Sequence, residues 1–374
     1  QSGGKYYVIR NSSSIIAFEM PKKDFGAFMI CASHTDSPSF KLKPDFEINA
    51  DGCIKLSVEG YGGMIMSSWL DRPLSISGRI VTAKNGKVET KLVNIDRDLL
   101  VIPSLAIHMS RDINKGYEFN IRRDMCPIAS EKNGRIEDII AENVGVDKEE
   151  ILGFDLSLYN RMRGTVLGAD GEYFSAPRID DLQCMYSTLE GFLNSESDDN
   201  VNVFAAFDNE EVGSGTKQGA KSSFLRDVLE RICNNSETYK RAVAKSFMLS
   251  CDNAHAVHPN FADKSDGTNR VYMNGGIVIK YNANQRYTTD AVSEAVVKYV
   301  CKNAGVPYQM YANRSDIPGG STLGNLSNEK VSLNTADIGL AQLAMHSSYE
   351  TAGSRDTEYM VKMIKEFYKT EIVL

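Results

Sequence analysis

Residues 201–206, Val201-Asn202-Val203-Phe204-Ala205-Ala206, form an apolar, β-branched and aromatic run that leads straight into Phe207-Asp208-Asn209-Glu210-Glu211-Val212-Gly213-Ser214-Gly215. Such a run reads as a buried strand. The acidic cluster therefore falls at the strand's C-terminal end, where open α/β sheets place their chemistry. Glu210 and Glu211 repel one another and Asp208, so a fold that gathers them needs a cation or several donors to compensate. A divalent metal meets that need. With Glu211 as a ligand and Glu210 left over, Glu210 can take a proton from water whose pKa the ion lowers towards ~7. A solvated acidic turn is the competing reading of this segment taken alone.

At 374 residues the chain exceeds the size one core usually serves, which predicts one large domain plus a second or an insertion. The 42% hydrophobic and 24% charged shares are those of an ordinary globular protein. No run of about 18 apolar residues and no leader pattern is seen, so the expectation is a soluble, cytoplasmic protein without a membrane partner. The sequence begins at Gln1 rather than Met, which leaves open a missing natural start. Cys31, Cys53, Cys126, Cys184, Cys233, Cys251 and Cys301 form no C-x-x-C pair, which predicts packed, reduced thiols and no zinc ribbon. A net charge of -7 with no basic block offers no footprint for nucleic acid.

In chain order, residues 6–10 and 14–19 read as two strands joined by a polar turn, and residues 27–32 as a more apolar third strand running into Ser33-His34-Thr35-Asp36-Ser37-Pro38. His34 can present an imidazole to a metal, with Asp36 holding the other ring N–H; a satisfied buried histidine is the alternative. From about residue 39 the strands alternate apolar and polar, as antiparallel strands with one wet face do: residues 54–58, 78–82 and 88–95, with Asn85-Gly86 as a hairpin turn. A helix is expected over residues 135–146, with Ile136, Ile139, Ile140 and Val144 on one face. This β-rich insertion is read as residues 39–175. Its His108 sits in an apolar setting, which suggests a core or interface residue.

The α/β pattern then resumes. Asp180 and Asp181 precede a helix, where capping alone would explain a carboxylate. Further strands at 245–251 and 275–280 end on Asp252 and Lys280. A helix over 289–304 has Ala291, Val292, Ala295, Val296, Tyr299 and Val300 as its apolar positions; a strand at 306–311, a glycine-rich loop at 315–321 and a closing helix over 356–369 follow. His34, Asp180, Glu210 and Glu211, Asp252 and His346 thus recur at strand ends and helix starts, as when one sheet edge lines one site. Such N/O ligands with a bridging carboxylate suit two zinc-type ions roughly 3.5 Å apart. His-Glu-x-x-His and Gly-x-Ser-x-Gly are absent, which removes the one-helix zinc protease and the serine-hydrolase elbow.

At these residues the chain resembles the M18 aspartyl aminopeptidases, within the co-catalytic zinc aminopeptidases. The matching pieces, in the family's order, are His34-Thr35-Asp36-Ser37-Pro38, Pro177-Arg178-Ile179-Asp180, the Asp208-Asn209-Glu210-Glu211-Val212-Gly213-Ser214 run, the run from Asp252 to Asn260, Asn284-Gln285-Arg286-Tyr287, and Met345-His346-Ser347. The resemblance implies an α/β/α sandwich catalytic domain (residues 1–38 and 176–374) interrupted by a β-rich dimerisation domain (39–175). It implies two divalent ions, zinc first with manganese or cobalt as alternatives: Asp180 bridging, Glu211 and His346 completing one site, His34 and Asp252 the other. Glu210 then matches the general base and Asp36 the partner of His34; Lys280 matches a lysine facing an acidic first residue of a peptide substrate. Relatives assemble as homododecamers, in which His108 looks like the histidine that reaches a neighbouring subunit's active site. The sequence departs from the pattern at Asp181, where relatives often carry Asn, and over 315–328. Outside this reading stand a related metal hydrolase acting on another acyl bond, and a catalytically idle assembly protein with structural ions.

Overall fold

The structure is a computed structural model that describes residues 3–84, 86–131, 134–196, 199–317, 319–320 and 322–373. Asn85 of the expected hairpin turn, and Pro318 and Ser321 of the glycine-rich loop, lie outside the described residues. Packing divides the chain into two units: Gln1–Ser37, Thr165–Met345 and Glu350–Leu374 form the first, Pro38–Gly164 and His346–Tyr349 the second. The first unit resumes at Thr165, ahead of the residue-175 boundary read from composition, because Thr165–Leu167 and Tyr173–Ala176 pair as strands within it.

The first unit is built on an eight-stranded mixed sheet in the order Lys5–Arg10, Ser14–Glu19, Val201–Phe207, Phe28–His34, Phe247–Cys251, Asn334–Gly339, Ile277–Tyr281, Tyr308–Ala312. Its central strands Val201–Phe207, Phe28–His34, Phe247–Cys251 and Asn334–Gly339 run parallel. They are continuous apolar runs because both faces are covered. Met29 and Cys31, with Phe204 and Ala206, pack towards Cys184 and Phe192 of helix Ile179–Leu193, Val297 and Val300 of helix Ala291–Ala304, and Met360 and Phe367 of helix Asp356–Lys369. Phe28 and Ile30, with Val203 and Ala205, pack on the opposite face against Phe224 and Val228 of helix Phe224–Ile232. The period-two split of each strand between two separate cores is what makes this unit an α/β/α sandwich.

The helix expected over 289–304 forms as Ala291–Ala304, started by an Asp290–Ser293 capping box. Its buried face differs from the expected one. Ser293, Val297, Val300 and Cys301 are inside, while Val292 and Tyr299 are about half exposed. Of the expected apolar positions, Val300 is in the core and Val296 packs partly against it, while Val292 and Tyr299 face outward. A second sheet in this unit, ordered Thr165–Leu167, Tyr173–Ala176, Glu350–Gly353, Ala341–Leu343, Ala254–His255, was not legible in the sequence, since its strands are only two to four residues long.

The second unit holds a six-stranded antiparallel sheet in the order Lys87–Asn94, Leu74–Lys84, Ile151–Asn160, Ser39–Ala50, Cys53–Tyr61, Ile128–Ser130. Helix Ile136–Val144 packs Ile136 and Ile140 into its core beside Leu42, Ile80 and Leu156. Glu47 accepts the Ile136 N–H at 2.9 Å, satisfying an otherwise orphaned helix donor. The stretch His346–Tyr349 is tied into this unit: the Ile65 N–H donates to the His346 carbonyl at 3.0 Å, and the Ser348 N–H to Ser68 Oγ at 2.8 Å. All seven cysteines are free thiols. Among the described residues no helix is long and apolar enough to cross a membrane.

Candidate metal centre

Neighbouring parallel strands deliver the first side chains. Phe28–His34 ends on His34, which lies beside Phe207 in the register, and the adjoining Phe247–Cys251 strand runs out into Asp252. Three chain segments thus leave the same sheet edge side by side, the geometry the strand ends predict. Gly339, on the next strand, is required there: a Cβ would collide with the Asp252 carbonyl oxygen.

Asp180 enters from the residues that precede the regular part of helix Ile179–Leu193; Asp180 and Asp181 have non-helical backbone angles, and no side-chain capping bond forms at this end. Capping therefore does not account for the two aspartates. The Asp180 main chain is gripped from both sides, its N–H donating to Glu350 Oε2 at 3.0 Å and its carbonyl accepting from Ser37 Oγ at 2.8 Å. Asp181, wholly buried, accepts the His34 N–H on Oδ2 at 3.1 Å. His34, Asp180, Asp181 and Asp252 each offer one atom to a group no more than 4.8 Å across, and His34, Glu210 and Glu211 do the same.

The glutamates lie on a one-turn helix, Glu210–Val212, bracketed by left-handed Asn209 and Gly213. Gly213 at φ 90 takes that conformation without the strain a side chain would add. Asn209 Oδ1 accepts from Thr216 Oγ1 and Gln218 Nε2, both at 2.8 Å, which secures the approach to the turn. The Asp36 carboxylate secures the turn itself: Oδ1 accepts the Glu210 N–H at 3.0 Å and Oδ2 the Glu211 N–H at 3.1 Å.

That arrangement departs from the expectation for Asp36. His34 Nδ1 lies 3.0 Å from the Asp36 main-chain carbonyl, while the Asp36 carboxylate is 3.5 Å away. The imidazole is held by the backbone of Asp36, and the side chain is spent mainly on the glutamate turn. Asp36→Ala is therefore expected to lower kcat by about 10–100-fold, the usual cost of removing a group that orients a site's ligands. Asp36→Asn, which keeps an acceptor for one of the two amides, is expected to fall less. Steady-state kinetics with metal content measured on the same samples separates loss of turnover from loss of ions.

The donor set fits a cation. A carbonyl oxygen only accepts, so His34 Nδ1 carries the hydrogen and Nε2 is left facing Asp180 Oδ1 at 3.4 Å. Two lone pairs at that separation call for a proton or a metal between them. Burial works against a charge on His34, yet Asp180, Asp181 and Asp36 together raise its pKa well above the ordinary value. Burial, then the neighbouring Asp252 and Asp180, pushes the Asp181 carboxyl well up, and burial with Asp180 raises Asp252. Glu210 is lifted to about 7, first by burial and then by Asp252, Asp180 and Asp36, with His34 opposing. Crowded carboxylates that resist ionising together are what a divalent cation neutralises.

Lys280 is 3% exposed inside strand Ile277–Tyr281, so it is no surface-turn lysine. Its Nζ donates to the Asn253 carbonyl at 2.7 Å and lies 3.7 Å from Asp252 Oδ2; burial opposes its charge, but Asp252 keeps the pKa above the usual lysine value. His108 lies on the short turn Ile107–Met109 of the second unit and is exposed, which removes a core role within this chain. His346, in the left-handed conformation at φ 65, begins the stretch that packs with the second unit. Sequence reasoning missed Glu350 and passed over Asp181 as a cap. The signal for Asp181 was the doubled aspartate; Glu350 had none, because its role is set by a neighbour 170 residues away.

Over residues 1–368 the chain matches the family described as aminopeptidase I zinc metalloprotease (M18). The chain belongs to the M18 family. Among M18 relatives, a probable M18 family aminopeptidase 2 of Clostridium acetobutylicum is 46% identical over 383 residues, covering 98% of this chain and 88% of that protein. A chain in the cryo-EM structure of the Ape4 and Nbr1 complex superposes with a TM-score of 0.96 at 35% identity, covering 100% of this chain and 79% of that one. A chain of the Saccharomyces cerevisiae mApe1 dodecamer reaches 0.86 at 29%, covering 98% and 86%. This M18 chain is accordingly an enzyme of the metallo-aminopeptidase class, a zinc metallopeptidase family, with the α/β fold the family shares.

Proposed function

We propose that this M18 enzyme removes N-terminal acidic residues, Asp or Glu, from peptides, using two divalent ions and Glu210 as the proton carrier. His34 and Asp252 would hold one ion, Glu211 and His346 the other, with Asp180 shared; zinc fits the donors, and manganese or cobalt can substitute. His346 adjoins Met345, the last residue of that stretch of the first unit, by one peptide bond. When bound, such ions lower the pKa of water towards ~7 and polarise the scissile carbonyl.

The observation that carries this reading is the Glu210–Glu211 turn: two carboxylates whose backbone is fixed by one aspartate, beside His34. A structural ion site needs one of them; a hydrolytic site needs the second to move a proton. Glu210 takes the proton of the attacking water and returns it to the leaving amine. Lys280 supplies the preference for an acidic first residue, its ammonium having one donor on Asn253, one towards Asp252, and a third for an incoming carboxylate. Lys280→Met is expected to narrow the ratio of Asp-substrate to Leu-substrate turnover by about tenfold or more, since a hydrogen bond to a charged group contributes ~1.5–3 kcal/mol. A panel of aminoacyl chromogenic substrates, assayed with zinc, manganese and cobalt, tests it; equal rates for Asp and Leu in the unsubstituted enzyme would remove the acidic preference.

The same reading has the enzyme working in the cytoplasm as a homododecamer assembled through residues 39–175 acting as a dimerisation domain. Leu105, Ile107 and Met109 are 49–70% exposed around His108, an apolar patch of the kind that association covers. In that assembly His108 serves a neighbouring subunit's site. Sedimentation analysis decides the assembly.

A further inference from the structure

Strand Ile277–Tyr281, which carries Lys280, lies between two others in the first unit. Tyr308–Ala312 runs parallel to it and sets Tyr311 beside Lys280; Asn334–Gly339 runs antiparallel, pairing Val278 with Gly339 and Ile279 with Ile338. One step further along that second register, Asp337 comes level with Lys280 on the same face of the sheet. The Tyr287 ring, 4% exposed, has its centroid 5.5 Å from Lys280 Nζ, within cation–π range, and crosses the Tyr311 ring at 61° with centroids 6.4 Å apart. Lys280 Nζ already donates to the Asn253 carbonyl and leans on Asp252, so the Tyr287 ring is a wall that limits where its remaining N–H can point.

Tyr287 sits on the connection between strand Ile277–Tyr281 and helix Ala291–Ala304, just after residues 283–286, which are exposed. The two residues that follow it are fastened to Asp337. Thr288 gives its N–H and its Oγ1, the latter at 2.7 Å, to Asp337 Oδ2, and Thr289 Oγ1 accepts the Asp337 N–H at 2.9 Å. Asp337 is wholly buried, and its other oxygen, Oδ1, accepts from Thr322 Oγ1, at the start of helix Leu323–Asn328. The approach is close enough to demand glycine at 324, where a Cβ would lie 2.9 Å from both carboxylate oxygens. Three donors thus satisfy a carboxylate that burial alone would make costly. In doing so they tie the ends of two loops to the strand that flanks Lys280.

We propose that Asp337 is a positioning residue for substrate selection: through Thr288 it fixes the Tyr287 ring against Lys280, so that the ammonium presents its third N–H to the carboxylate of an acidic first residue. The inference rests on the acidic preference assigned to Lys280 and adds the device that keeps that lysine aimed. With the clamp loosened, Tyr287 withdraws and the ammonium turns further onto Asp252, 3.7 Å away, taking the donor from the substrate.

The test compares aspartyl and leucyl p-nitroanilides. Thr288→Val removes the Oγ1 bond to Asp337 with little change of shape and leaves the N–H bond in place. It is expected to lower the aspartyl-to-leucyl ratio of kcat/KM by about threefold to tenfold, the size of one hydrogen bond, mainly by raising KM for the aspartyl substrate. Thr288→Ser, which keeps a hydroxyl there, is expected to retain the ratio of the unsubstituted enzyme. Thr322→Val, on the other loop, is expected to lower it in the same direction, which covers the case of a variant that folds poorly. In enzyme already carrying Lys280→Met, Thr288→Val is expected to leave the ratio where Lys280→Met put it, because the clamp then has no ammonium to aim. An equal fall on both substrates would make the clamp structural only; an unchanged ratio, or the same fall in the Lys280→Met background, would place its effect elsewhere. Each of these overturns the proposal. Equal rates for Asp and Leu in the unsubstituted enzyme remove the acidic preference and the proposal with it, whereas a clear preference that Thr288→Val leaves intact removes the proposal alone.

Discussion

Glu210→Gln is expected to lower peptide hydrolysis by about 10²–10⁴-fold, towards the limit of detection, while the protein keeps its fold and its full complement of ions. The amide is close in shape, and the contacts that place residue 210 are made by its backbone: the N–H to Asp36 at 3.0 Å survives the change. What disappears is a group able to accept a proton beside His34 and Glu211. KM should move little, because the loss is one of proton transfer rather than of binding. Metal analysis and kinetics on one preparation decide the matter. Unchanged turnover would refute the role of Glu210, and loss of ions together with turnover would make it a ligand instead.

Removing the ions with a chelator is expected to abolish hydrolysis and, independently, to lower thermal stability. Asp180, Asp181 and Asp252 are at least nine-tenths buried, and two of these carboxyls already resist ionising together. A site held at a hundred times its Kd contributes ~2.7 kcal/mol to folding, which for a unit of this size is about 5–10 °C in Tm. Zinc, manganese or cobalt added back should restore both properties together. A melting temperature indifferent to chelator would sink the idea that these side chains gather around cations, whatever happened to activity.

The central sheet was legible because its strands are long apolar runs bounded by polar turns. The runs expected at 201–206, 27–32 and 245–251 form strands Val201–Phe207, Phe28–His34 and Phe247–Cys251, and the closing helix Asp356–Lys369 has the expected bounds. Strand Ile151–Asn160 of the second unit has no clear signal in the sequence, because Gly153 and Asp155 interrupt its apolar pattern. The expected apolar face of Ala291–Ala304 holds in part: Val300 and, partly, Val296 pack on the core, while Val292 and Tyr299 stay outside and the buried Ser293 and Cys301 carry no apolar period to reveal them. His34-x-Asp36 spacing correctly brought two residues together without revealing which atoms of Asp36 would serve His34.

Where polar chemistry leaves buried strands follows from the order of residues alone, since a carboxylate cluster after an apolar run has few other places to be. Which groups converge there is fixed by the fold. The grip of Glu350 on Asp180 spans 170 residues, and the use of the Asp36 carboxylate on the Glu210–Glu211 amides spans 174 and 175. Such contacts follow from strand order and register in a folded sheet, and no local pattern along the chain encodes a partner that distant.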